Sequence, residues 1–221
     1  MIFFDIDGTL IDHASASAGA AAIFFDKNAG KIPFAREHFP ATWEEILNKH
    51  FDRFCRGEIS LWEQRRARMR DVFGAPGMSD AEADAYYQKF VREYEKLTSA
   101  YDDAGPCLER LAGESLGIIS NGAREQQIGK LQRAGLLKYF SVMVYSEDVG
   151  LGKPAPSIFL EACRRAGDAP EQCVHIGDNI DADVIPSRAL GMRGIHLNRP
   201  GLATVEPPTI VSLRNLPALI N

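Results

Sequence analysis

The chain has 221 residues, of which 45% are apolar, and its 30 acidic and 25 basic side chains leave a formal net charge of −5. At ~150 residues per domain, that length suits one large domain or a core with a smaller insert, with enough chain to bury a real core. The acidic balance excludes a broad nucleic-acid footprint, which needs a basic surface, but not a local basic pocket for a small anion.

The chain opens with an apolar run, Met1-Ile2-Phe3-Phe4, that ends abruptly in Asp5, Asp7, Gly8 and Thr9. Four apolar residues bounded by a turn signal read as a buried strand, with the two acids at or just past its carboxyl end. From 14 to 97 the pattern is helical. A first helix starts near Ser15 or Ser17 and stops at Gly30 and Pro33. Three later starts carry capping-box spacing: Thr42 with Glu45, Ser60 with Glu63, and Ser79 with Glu82. Trp43, Ile46, Leu47, Phe51, Phe54 and Cys55 follow Thr42 at helical spacing, as Ala83, Tyr86, Tyr87, Phe90, Val91, Tyr94 and Leu97 follow Ser79.

Beyond about 104 short helices and short apolar strands alternate. Helices are expected over 106–111, 124–134, 157–166 and 181–190. Strands are expected over 116–119, 142–145, 173–176 and 194–197. This alternation predicts an α/β fold, a Rossmann-like parallel sheet with helices on both faces. The first strand belongs to that sheet. The expected domains are therefore a core of 1–13 with 98–221 and an all-helical insert of 14–97.

Cys55, Cys107, Cys163 and Cys173 are widely spaced with no Cys-x-x-Cys pair, which argues against zinc or a disulfide framework and for thiols in a reducing compartment. No basic leader precedes the acids at the N-terminus, so no signal peptide is expected. No apolar run approaches the ~20 residues of a membrane span. A cytoplasmic location without membrane partners follows as the expectation.

Polar residues recur where strands end. Asp5 and Asp7 follow the first strand, and Ser120, Asn121 and Gly122 follow the next. Lys153 comes after a third, and Asp178, Asn179, Asp181 and Asp183 after a fourth. In open α/β sheets ligands bind at that edge. Carboxylates are hard oxygen ligands suited to Mg²⁺. A lysine, a hydroxyl and backbone amides suit a phosphoryl group. One Asp carboxylate can act as nucleophile while a second protonates the leaving alkoxide and activates water.

These motifs resemble those of the haloacid dehalogenase superfamily. Asp5-Ile6-Asp7-Gly8-Thr9 is similar to its first motif, Ser120-Asn121-Gly122 to its second, Lys153-Pro154 to its third, and Gly177-Asp178 with Asp183 to its fourth. They fall in family order and span the chain. The insert after the first motif is similar to the family's helical cap. The resemblance implies Asp5 as nucleophile and metal ligand, and Asp7 as general acid/base with its carbonyl on the metal. It implies Ser120, Lys153 and the amide of Asn121 or Gly122 as phosphoryl-binding groups. Asp178 would be a direct Mg²⁺ ligand and Asp183 a more distant one. In the family the peptide before the third-motif proline can be cis. The stretch Arg56-Gly57-Glu58-Ile59-Ser60 most resembles 5′-nucleotidases and acylneuraminate-9-phosphatases. The expected activity is hydrolysis of a small phosphate monoester, a 5′-nucleotide before a phosphosugar, by a monomer or homodimer. A sugar phosphomutase and a non-catalytic binding protein on this scaffold remain alternatives.

Among other candidates, Arg65, Arg66, Arg68 and Arg70 read as a solvated helix face paired with Glu63 and Asp71. Trp43, Trp62, Tyr86 and Tyr87 read as core. Asp181 reads as a solvated helix-start charge, Asn179 as a cap or a metal contact, and His175 as structural. His13 reads as a bystander near the first motif.

Overall fold

A computed structural model describes residues 1–202 and 208–220. By contacts the chain forms two units, Met1–Asp12 with Ser99–Asn221, and His13–Thr98. Among the described residues no helix is long and apolar enough to cross a membrane.

The first unit is a six-stranded, all-parallel sheet in the order β3-β2-β1-β4-β5-β6. Its strands are β1 (Ile2–Phe4), β2 (Leu116–Ser120), β3 (Val142–Tyr145), β4 (Val174–Gly177), β5 (Arg193–Leu197) and β6 (Thr209–Ile210). Period-two alternation splits each strand between two apolar layers. Ile2 and Phe4 of β1 join Ile118, Ile176 and Ile195 in one layer, and Phe3 joins Ile119 and Val144 in the other. Helices cover both faces, as parallel sheets require. Ala104–Arg110 and Arg124–Arg133 contribute Leu108 and Leu131 to the first layer, and Pro156–Ala166 contributes Phe159 to the second. Because every strand runs the same way, the polar segments that follow β1, β2, β3 and β4 emerge along one edge.

The second unit, the helical cap of the sequence reading, holds four helices: α1 (His13–Asn28), α2 (Phe39–Cys55), α3 (Leu61–Phe73) and α4 (Asp80–Leu97). Its core is aromatic: Trp43 stacks on Phe90 at 4.0 Å between ring centroids, and Phe24 meets Trp43, Phe73 and Phe90. Ser60 and Ser79 each make the full capping box with Glu63 and Glu82.

Several local expectations need correction. Thr42 does not cap: α2 begins at Phe39 with Pro40 in its first turn, where a missing N–H costs nothing, and Thr42 Oγ1 donates back to the His38 carbonyl. The stretch 181–190 is not one helix. A π-type turn spans Ile180–Val184 before a short helix over Ile185–Ala189, because Pro186 has no N–H to offer the Ala182 carbonyl. Trp62 is half exposed rather than core, and Tyr86 is only partly buried. The arginine run also divides. Arg66 and Arg70 pair with Asp80 and Asp84, not with Glu63 and Asp71. Arg65 and Arg68 are buried, with Arg65 over Trp62 and Tyr87 and Arg68 over Trp43 and Tyr87. The two-residue strand β6 and the terminal helix Leu216–Ile220 were not anticipated.

Candidate active site

Asp5 continues β1: its amide donates to the Ile176 carbonyl at 2.8 Å, so the neighbouring strand fixes where its side chain starts. The chain then turns at Gly8, whose φ of +81° suits glycine. A Cβ there would collide with the Asp178 carboxylate, so the turn also lets β4's polar end come close. Gly177 plays the same part for Asp183.

Lys153 is the hinge of the charge arrangement. Its buried Nζ donates to Asp5 Oδ1 at 2.6 Å, to Asp183 Oδ1 at 2.5 Å and to the Ile119 carbonyl at 3.1 Å. Two carboxylates hold this ammonium firmly protonated against the opposing effect of burial. Asn121 fixes the lysine's backbone from both sides, accepting from its N–H at 2.7 Å and donating to its carbonyl at 3.0 Å. The Lys153–Pro154 peptide is cis.

Asp183 accepts from Lys153, from the Asn179 amide at 3.2 Å, and shares a 2.9 Å contact with His175 Nε2. Burial works to raise its carboxyl, but Lys153 and His175 outweigh it and hold Asp183 well below the usual range. Burial keeps His175 below its ordinary value, against the opposing pull of Asp183. Asp181 is exposed, and Asn179 caps the following turn by accepting from the Ala182 amide.

Asp5 behaves oppositely. Burial, with the charges of Asp183, Asp178 and Asp7, overcomes Lys153 and pushes its carboxyl up to about 8. Asp178 lies at the solvent edge, yet lost hydration and the charge of Asp183 lift it to about 6. One ligand oxygen from each of Asp5, Asp178 and Asp183 lies within 4.8 Å of the others. Counting Asp7, four carboxylates meet two ammonium groups, Lys153 and Lys130. With all four carboxylates ionised, two negative charges are left over. A compact set of hard oxygen donors with that excess fits a divalent cation such as Mg²⁺.

The sequence reading did not single out Lys130 or Gln127. Both lie on the helix after β2, here named α5 (Arg124–Arg133), and both are buried beside Leu131. Lys130 Nζ reaches both oxygens of Asp7, and Gln127 Nε2 reaches Asp7 and Ser120. The available signal was their place, with Leu131, on that helix's apolar stripe. Ser120 is itself buried, and the Gly122 amide donates to Ser146 Oγ at 2.8 Å. In the helical unit, His13 Nδ1 lies 2.8 Å from the Tyr94 hydroxyl.

The chain belongs to the haloacid dehalogenase-like hydrolase family, which it matches over residues 1–191. It is 38% identical over 109 residues to the glyceraldehyde 3-phosphate phosphatase of Methanopyrus kandleri; that stretch is 48% of this chain and only 47% of the relative. The corresponding enzyme of Methanothermobacter thermautotrophicus is 32% identical over 89% of this chain and 84% of its own length. The phosphoglycolate phosphatase of Shigella dysenteriae is 30% identical over 89% of this chain and 80% of its own. Among solved structures, 2-haloacid dehalogenase from Pseudomonas syringae pv. Tomato is 31% identical with a TM-score of 0.73, covering 99% of this chain and 96% of its own. The magnesium-bound HAD-hydrolase YfnB from Bacillus subtilis shares the fold at 24% identity and a TM-score of 0.79, covering 100% of this chain and 97% of its own.

Proposed function

We propose that this chain is a Mg²⁺-dependent phosphatase that hydrolyses small phosphate monoesters through a phosphorylated Asp5. The observation that carries the reading is the pairing of two kinds of carboxylate on one sheet edge. Asp5, Asp178 and Asp183 form an oxygen cluster that suits a cation, while the Asp7 carboxylate is paired with Lys130. A dehalogenase using the same nucleophile needs neither the second acid nor the cation.

The Asp5 carboxylate attacks phosphorus, and the bond to the ester oxygen breaks with its electron pair. Asp7 gives that oxygen its proton. Asp7 then takes a proton from water as the water oxygen bonds to phosphorus, and the acyl-phosphate bond breaks to return Asp5 and inorganic phosphate. Lys153 and Ser120 hold phosphoryl oxygens, and Lys153 also fixes the attacking carboxylate. Asp5, Asp178, the Asp7 carbonyl and, more remotely, Asp183 would hold the magnesium, which when bound offsets negative charge on the phosphoryl group.

For the substrate, the stretch 56–60 favours a 5′-nucleotide. The named phosphatases favour compact phosphorylated metabolites such as phosphoglycolate or glyceraldehyde 3-phosphate. We rank the compact esters first, 5′-nucleotides next and phosphosugars after them. A monomer or homodimer in the cytoplasm completes the reading. A phosphate-release screen over these classes tests it. Release with added Mg²⁺ that EDTA abolishes is expected; release unaffected by EDTA would overturn the metal assignment, and no release from any ester would overturn the activity.

A further inference from the structure

A lysine inside a protein is costly unless an acid or several acceptors meet it. Lys130 is 4% exposed, and its Nζ lies 2.7 Å and 2.6 Å from the two oxygens of Asp7. One turn earlier on α5, the equally buried Gln127 places Nε2 at 3.1 Å from Asp7 Oδ2, 2.8 Å from Ser120 Oγ and 2.9 Å from the Asn121 carbonyl. Residues three apart on a helix share a face, so α5 presents ammonium and amide together. The amide has two hydrogens for three acceptors, and its Oε1 is buried without a partner. Burying that amide leaves polar capacity unused, and nothing in the packing of the sheet calls for an amide there. What the pair does is tie the segment carrying Asp7 to the segment carrying Ser120, with Gln127 itself 120 residues from Asp7.

We propose that Lys130 and Gln127 are positioning residues for proton transfer at Asp7. The inference rests on the phosphatase reading. Lys130 fixes the rotation of the Asp7 carboxylate by holding both of its oxygens. Gln127 sets its distance from Ser120, and so from a phosphoryl group that Ser120 holds. As the phosphorus–oxygen bond breaks, the ester oxygen receives its proton from Asp7; as water attacks, its proton goes to Asp7. Both transfers need the carboxylate at one place relative to phosphorus. The demand depends on the leaving group. An alkoxide cannot depart without the proton, whereas 4-nitrophenolate departs unaided.

The test compares ethyl phosphate with 4-nitrophenyl phosphate at saturating Mg²⁺, in the full-length protein. Lys130→Met is expected to lower kcat/KM, which reports the step that expels the leaving group, by about 10²-fold on ethyl phosphate and by under about tenfold on 4-nitrophenyl phosphate, because general acid catalysis contributes 10²–10⁴-fold where it is needed. kcat itself can fall alike for both esters, because the water step on phosphorylated Asp5 does not involve the leaving group. Lys130→Arg should restore most of the loss. Gln127→Met should give the same skew with smaller amplitude, and it carries the test alone if circular dichroism shows Lys130→Met unfolded. Equal losses of kcat/KM on both esters, or none on either, overturn the inference while leaving the phosphatase reading intact. A wild-type protein that releases phosphate from neither of these nor from any ester of the screen sinks that reading, and this inference with it.

Discussion

The two units bury different things. The sheet unit buries charge: Asp5, Asp183, Lys153 and Lys130 are all nearly closed to solvent, and each has an ionic partner. The helical unit buries rings, with Trp43, Phe24, Phe39 and Phe90 at its centre and two arginine side chains laid over aromatic faces. Buried ions tolerate little displacement, because a lost partner leaves an uncompensated charge. Aromatic cores accept substitution as long as volume is kept. The contrast suggests that the chemistry is fixed in the sheet unit and that sequence variation is easier in the helical one.

Three substitutions would sharpen or break that contrast. Asp5→Asn should reduce turnover of 4-nitrophenyl phosphate by at least about 10⁴-fold, in the range of lost nucleophiles, with an unchanged circular dichroism spectrum; wild-type-like turnover would remove Asp5 from the chemistry. Trp43→Ala should cost roughly 3–5 kcal/mol, as deletion of a fully buried ring does. Limited proteolysis should then cut within His13–Thr98 first; cuts appearing first in the sheet unit would show that the two do not fail separately.

The smallest effect concerns Asp103, which accepts from Arg199 twice, from Ser212 Oγ at 2.6 Å and from the Leu213 amide at 3.0 Å. Burial raises its carboxyl, but these donors outweigh burial and hold it below the usual value. A folded pKa below the unfolded one gives stability that is present above the unfolded pKa and lost as pH falls through the folded one. Asp103→Asn should therefore cost roughly 2 kcal/mol near neutrality, and the gap to wild type should begin to narrow as pH falls below about 4. Urea titrations at pH 7 and pH 3 would show this; a gap that stays constant would mean Asp103 contributes packing rather than charge.

Much of the architecture was legible because the signals are local. An apolar run stopped by Asp5 and Asp7 needs only neighbouring residues to be read, and so do the serine–glutamate spacings at Ser60 and Ser79. The same local rule misplaced the start of α2 because Pro40 offered an earlier opening. Lys130 escaped notice for a different reason. A mid-helix lysine looks the same in sequence whether it meets water or an aspartate more than a hundred residues away. The split of the arginine run was hidden in the same way, since only packing decides which side of α3 faces Tyr87. The strand-end positions of Asp5, Ser120, Lys153 and Asp178 could be read, whereas Asn121's grip on the Lys153 backbone could not.

β1 is only three residues long, yet it has a bonded neighbour on each side, β2 and β4. Its amides exchange with solvent only when the centre of the sheet opens. The Asp5 carboxylate one residue beyond thus takes its coordinates from the interior of the sheet. Hydrogen exchange should therefore report Phe3 and Phe4 among the slow amides, holding Asp5 in place while the exposed ends of the molecule fray.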